Sequence, residues 1–363
     1  MKKFLVIIAA IVLSFWAVNI VVLVTVSQAA GVPDFQKVLE GAKREGKLVI
    51  WVSTPAREKT HQLLLEAFCK RFGLQTRWEW IAIHPTQSTP RVITEASAGR
   101  VAADIMAPAS DNEILSLIRA NLTKPYPWVE VFESHLPGIR EAAETGVKEF
   151  RGIGLSWFDN AYGVAWNTKM IEDNKIPDRL EQLGNPQWQG KLIINVGGAA
   201  PFDTLSLEIG REKAIELIRK IVAVRPILKK GTPAVTSALT IGEAPVALGS
   251  FFNSERAIMN GEPVKFKFFE DYIPVRPLYA VVPEGSPNPN TARLFAAWAA
   301  TEGMPIFEQE EVGGRVNDPR SRLAKFIKER AGKAKLIFPK SLKEVEQADS
   351  ISQEITIITT GGR

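Results

Sequence analysis

Two stretches of the chain, residues 48–110 and 191–269, alternate short apolar runs with longer segments whose apolar residues recur every three or four positions. In the first stretch the pattern predicts strands at Leu48–Ser53, Thr76–Ile83 and Ala103–Ala107. Helices are expected from about Ala56 to Phe72, from Thr89 to about Gly99 and from Asp111 onward. In the second it predicts strands Lys191–Val196, Pro245–Ser250 and Val264–Phe269, with helices near Thr204–Gly210, Glu212–Val224 and Asn253–Asn260. Strand and helix in alternation imply parallel sheet, so each stretch reads as an α/β lobe.

Two segments join these sets. Gly152–Asn167, GIGLSWFDNAYGVAWN, is aromatic and rich in strand formers, and Tyr272–Val282 returns to an apolar strand. If both are crossovers, the first lobe is discontinuous, with residues 31–151 plus 275–363 forming it and residues 152–274 inserted as the second. After the Pro283–Pro289 loop, Asn290-Thr291 opens a helix whose Ala292, Phe295, Ala296, Trp298 and Ala299 share a face, and Gly303 and Pro305 end it. Further helical patterns at Ser321–Ala331 and Ser341–Ser350 are expected to pack on the first lobe.

At the amino terminus, Lys2-Lys3 precede an apolar run from Phe4 to Val26 and the small-residue site Ser27-Gln28-Ala29-Ala30. This reads as an export leader over residues 1–30, with the mature chain starting near Ala30. The run is also long enough to span a bilayer as an uncleaved anchor. No cysteine lies near the junction, so no lipid anchor is expected.

With 363 residues and 45% hydrophobic content, the chain has enough apolar material for two lobes. Its net charge of +5 is not concentrated in any basic run interleaved with aromatics, so no nucleic-acid partner is expected. Cys69 is the only cysteine and reads as a small core residue. The three histidines, His61, His84 and His135, belong to no HExxH or GxSxG pattern, so neither catalytic nor metal-binding residues nor a cofactor are expected.

The candidate binding residues follow the strands. Ser53 and Thr54 with Arg57, Ser88 with Thr89, and Ser110 with Asp111 each read as helix caps, with or without ligand contact. Arg57, ahead of Arg225, is the candidate to counter a ligand's charge. In the second lobe Gly197, Gly198, Ala199, Phe202 and Thr204 lie between a strand and a helix, where glycine admits close backbone approach and the helix start offers N–H donors to an anion. Trp157, Asn160 and Tyr162 sit on the first crossover, as cleft floor or as hinge packing. Phe251, Phe252 and Asn253 follow the strand ending at Ser250, the rings serving as an aromatic wall or as core.

Several passages resemble one known family. LYAVVPEGSPNPNTARLFAAWAATEGM (278–304), VAADIMAP (101–108), YGVAWNTKM (162–170), NPQWQGKLII (185–194) and GEAPVAL (242–248) are similar to the solute-binding proteins of ABC importers, in the order that family requires. The resemblance implies the type II periplasmic-binding-protein fold, two-lobed with a ligand cleft between lobes that close by a hinge. It implies a small organic, anionic ligand, a cognate permease and ATPase in the membrane, a monomer, and a periplasmic or extracytoplasmic location. Ferric-binding relatives carry adjacent tyrosines after the GEAPVAL-like strand, where this chain has Phe251-Phe252, which offer no oxygen to a ferric ion. A ferric-ion transport protein and a membrane-anchored sensing module are the alternatives.

Overall fold

The computed structural model describes residues 34–52, 57–83, 85–196 and 200–361. The leader, Ser53, Thr54, His84, Gly197, Gly198 and Ala199 lie outside the described residues. Strands are β1 (Lys47–Val52), β2 (Arg77–Ala82), β3 (Ile105–Ser110), β4 (Gly154–Asn167), β5 (Leu192–Val196), β6 (Ile227–Lys230), β7 (Val246–Ser250), β8 (Val264–Lys267), β9 (Tyr272–Val281) and β10 (Lys335–Ile337).

Their order is β2-β1-β3-β9-β4-β7-β5-β6, with β8 beside β4 and β10 beside β9. β1 runs parallel to β2 and β3, and β5 runs parallel to β6 and β7. Between these parallel sets lie the antiparallel strands β9 and β4, the two segments read from sequence as crossovers. The 14-residue β4 pairs with β9 over Gly154–Ala161, then with β7 over Tyr162–Trp166, while β8 takes its other edge from Val164. β4 is buried almost throughout, which explains why its sequence lacks the apolar-polar alternation of a half-exposed strand.

Helix Pro289–Ala299 packs on helix Phe35–Glu45, where Gly41 is required: a Cβ there would lie 2.5 Å from Asn290 Cγ. The Glu45 carboxylate accepts the Asn290 and Thr291 N–H groups at 3.1 and 2.7 Å, so one helix caps the start of the other. Asp104, fully buried, accepts from the Val49 and Asn288 N–H groups, both at 2.8 Å, and from Ser286 Oγ at 3.1 Å. The Asp of the VAADIMAP passage therefore fastens the proline-rich loop to β1.

Two helical expectations are corrected. The last helix runs from Leu342 to Thr360, ten residues past Ser350. Only its first part packs on the first set of strands. Val345 joins Leu115 and Val281, whereas Ile351 and Ile355 join Leu205 and Ile218 in the core of the second set. Arg119 faces Glu346 and Asp349 at 3.6 Å, and Arg211 pairs with Glu354 at 2.6 Å, so one helix is laid across both parallel sets. The helix expected from Thr89 begins at Pro85, where the fixed φ and missing N–H of proline suit a first turn.

Candidate functional site

The carboxyl ends of β3 and β7 both point toward the middle of β4 and β9, where a crevice beyond strand ends is the usual ligand position in an open α/β sheet. At that level Asn160 of β4 stands opposite Arg276 of β9, and Ser110 of β3 stands opposite Leu278. Asp111, one residue past Ser110, therefore lies one residue along from Arg276 on a neighbouring strand line, with strands about 4.8 Å apart.

Two helix starts meet at Arg276. Helix Phe202–Ile209 brings Asp203, whose Oδ2 accepts from the Arg276 guanidinium and whose Oδ1 accepts from the Thr204 N–H at 2.7 Å. Helix Asp111–Arg119 brings Asp111, which is 6% exposed and whose Oδ1 has no hydrogen-bond partner among the described residues. Burial alone disfavours the Arg276 charge, but Asp203, Tyr162 and Asp111 outweigh it and hold the guanidinium's pKa raised. Asn160 Nδ2 donates to the Tyr162 hydroxyl at 3.4 Å.

The carboxylates beside Arg276 have different fates. Glu113 is buried yet accepts from the Ser110 N–H at 2.8 Å and from Ser110 Oγ and Ser88 Oγ at 3.1 and 3.2 Å. This is a capping box, and it leaves Asp111 out of the cap. Burial pushes the Asp111 carboxyl from 3.8 up to about 7, against the pull of Arg276 and the Tyr279 hydroxyl. Asp159 on β4 rises to about 6 for the same reason, although Oδ2 accepts the Val316 N–H at 2.8 Å.

Because the Asp111 pKa is higher folded than unfolded, the folded state binds that proton more tightly. The stability this gives is present below about 3.8 and lost as pH rises through about 7. Asp111→Asn keeps the shape without the charge, so thermal melts should show it about 2–3 kcal/mol more favourable relative to wild type at pH 8 than at pH 5. An equal difference at both pH values would contradict a buried, titrating Asp111.

The other sequence candidates divide plainly. Tyr162 and Thr204 stand at the Arg276 cluster. Ser88 and Thr89, in the second turn of their helix rather than at its start, direct their hydroxyls to Glu113 at 3.2 and 3.5 Å. Phe202 packs among Val164, Leu205 and Ile351. Phe251 lies among Phe266, Phe268 and Phe326, and Phe252 stacks on Phe158 and Phe307, so both rings are core rather than wall. Trp157 packs on Phe307 at the edge of an apolar cavity of about 10 Å³ shared with Leu64, Trp80 and Pro108. Asn253 Nδ2 donates to Thr232 Oγ1 and Ser250 Oγ, both at 2.9 Å, tying two helices together. Arg57 is engaged by Glu311, its N–H at 2.7 Å and Nε at 3.3 Å. Arg225 is an exposed helix-end residue with φ +51°.

Arg276 is the residue that sequence reading missed. Its signal is a lone cation in the apolar strand YIPVRPLYAV, where a charge is costly without a partner.

Comparison with known proteins gives the family and the fold. The profile of bacterial extracellular solute-binding proteins matches residues 53–304. Among solved structures, iron-bound HitA from Pseudomonas aeruginosa superposes with a TM-score of 0.64 at 19% identity, covering 87% of this chain and 99% of that one. An ABC-transporter substrate-binding protein from Agrobacterium tumefaciens gives 0.69 at 13% identity, covering 88% and 96%. The binding protein AgtB from A. tumefaciens R10, in complex with agropinic acid, gives 0.65 at 17% identity, covering 87% and 99%. At these identities the structures show a shared type II periplasmic-binding-protein fold. No curated protein sequence matches the chain.

Proposed function

We propose, because the chain belongs to the bacterial extracellular solute-binding protein family and is a solute-binding component of an ABC importer, that it captures a small organic solute over the Arg276 cluster and presents it to a membrane permease. The observation that carries this reading is the meeting of Asp111 and Asp203, from helices that follow different parallel sets, at one arginine on a strand that lies between the two sets. A ligand held there touches both sides of the sheet and favours their approach. In this reading the lobes are residues 31–151 with 275–363 and residues 152–274, moving about β4 and β9.

The ligand's anionic group is assigned to Arg276, which keeps part of its surface exposed beside Asp203. HitA and AgtB carry iron and an organic acid respectively. The organic class is favoured here because Phe251 and Phe252 replace oxygen donors. No bond-making step is required of the site. Among the described residues no helix is long and apolar enough to cross a membrane. The reading places the protein outside the cytoplasm, released as a monomer by cleavage near Ala30.

Thermal unfolding of the exported protein against organic acids, sugar phosphates, amino acids and ferric citrate tests this. A cognate solute at 100 times its Kd should add about 2.7 kcal/mol. Stabilisation by ferric citrate alone would refute the organic reading.

A further inference from the structure

Resting on that reading, we propose that the solute is a zwitterion, an α-amino acid or an amino-acid conjugate, held with its carboxylate on Arg276 and its ammonium on Asp111. The argument starts from the balance of charge at the crevice. Arg276 already donates to Asp203, so this pair is close to neutral before any ligand arrives. Glu113 is satisfied by Ser110 and Ser88. Asp111 remains, nine-tenths buried, with Oδ1 unpartnered among the described residues.

The groups around Asp111 meet that need only in part. Arg276 and Tyr279 approach it from β9, the Tyr279 hydroxyl hydrogen-bonding the carboxyl, whereas Asp159 from β4 and Asp203 from helix Phe202–Ile209 are themselves acidic. The segments that follow β1 and β5 in the chain, Ser53 to Ala56 and Gly197 to Ala199, contribute no charged side chain. A plain anion would be drawn to Arg276 but would face Asp111 and Asp203 as like charges. A plain cation would suit Asp111 but meet Arg276. A solute carrying both signs a few ångströms apart satisfies both, and Asn160, whose Oδ1 is also buried without a partner among the described residues, supplies a further acceptor for ammonium protons.

The test measures binding to the exported protein by titration calorimetry at pH 8. The probes are the proteinogenic L-amino acids and N-(1-carboxyethyl) amino acids. For the tightest of them the matched desamino acid and decarboxylated amine are added, with citrate, glucose 1-phosphate and ferric citrate as non-zwitterions. The expected result is that a zwitterion binds and that removing its ammonium weakens binding about tenfold or more. In Asp111→Asn that discrimination should vanish while the desamino acid binds as well as before or better. A residue that only shaped the fold would weaken every probe alike. Affinity for the zwitterion should also rise as pH passes 7.

If the tightest probe lacks an ammonium and Asp111→Asn leaves its affinity unchanged, the zwitterion assignment is overturned while the solute-binding reading stands. If no organic probe binds, both fall.

Discussion

Phe158→Ala should lower unfolding stability by about 3–5 kcal/mol, the largest loss expected from any single ring at the crossing strands. Phe158 is 4% exposed and stacks on Phe252 at 5.4 Å and on Phe307 at 5.7 Å, with Trp157 against Phe307 at 5.5 Å. These rings come from β4, from helix Phe251–Met259 and from helix Met304–Glu310. Each element is fixed elsewhere, by the β4 ladder, by Asn253 and by Glu311, so the three cannot close on the space a missing ring leaves. A small apolar cavity already adjoins the site, and the truncation would enlarge it. Urea denaturation of the apo protein measures the loss. A value within 0.5 kcal/mol of wild type, the range of surface substitutions, would show that the stack carries no load.

Glu311→Ala should cost about 3 kcal/mol by the same measurement. The carboxylate is fully buried, accepts from the Arg57 N–H at 2.7 Å and from Thr60 Oγ1 at 2.6 Å, and has Arg256 Nη1 at 3.3 Å from Oε2. It thus joins the start of helix Glu58–Phe72 to helix Phe251–Met259. Stranding a fully buried partner would cost more, but the Arg57 and Arg256 side chains are 43% and 29% exposed and can rehydrate once the carboxylate is gone. The Thr60 hydroxyl, buried, cannot. Glu311→Gln, which keeps an acceptor, should recover about half of the loss. If Arg57→Ala costs as much as Glu311→Ala, the effect belongs to Arg57 and not to the shared carboxylate.

What the sequence made legible follows from how much of each element's environment is local. β1, the first three residues of β5 and the first three of β7 are apolar runs buried on both faces, and the pattern shows it. The strands β4 and β9 were readable for the same reason. By contrast, β6 (ILKK) and β10 (KLI) are strands only because a neighbour offers an edge. The last helix was cut short in the sequence reading because ITIITT is rich in β-branched residues, which favour strand on their own. Ile351 and Ile355 nevertheless find apolar partners one turn apart and carry the helix onward.

The candidate site was less legible than the fold. Loop residues after strands were the right neighbourhood, yet a hydroxyl or ring there does not reveal whether it faces a neighbour or a crevice. Phe251, Phe252 and Asn253 turned to neighbours. Asp111 reads as a cap until Glu113 is seen to do the capping. Arg276 becomes interpretable only when register sets it against Asn160 and brings Asp203 from a helix 73 residues earlier.

The order of strands also bears on how the chain is made. β3 is complete at Ser110, but its partner β9 begins only at Tyr272, after β4 to β8 have been synthesised. A ribosome working at about 5–20 residues per second leaves that edge without its native partner for roughly 10–30 s. During that interval β3 presents unpaired peptide groups to any passing strand. The first parallel set can therefore close against its antiparallel neighbour only once three-quarters of the chain exists, which makes completion of the sheet wait on the strands that come between.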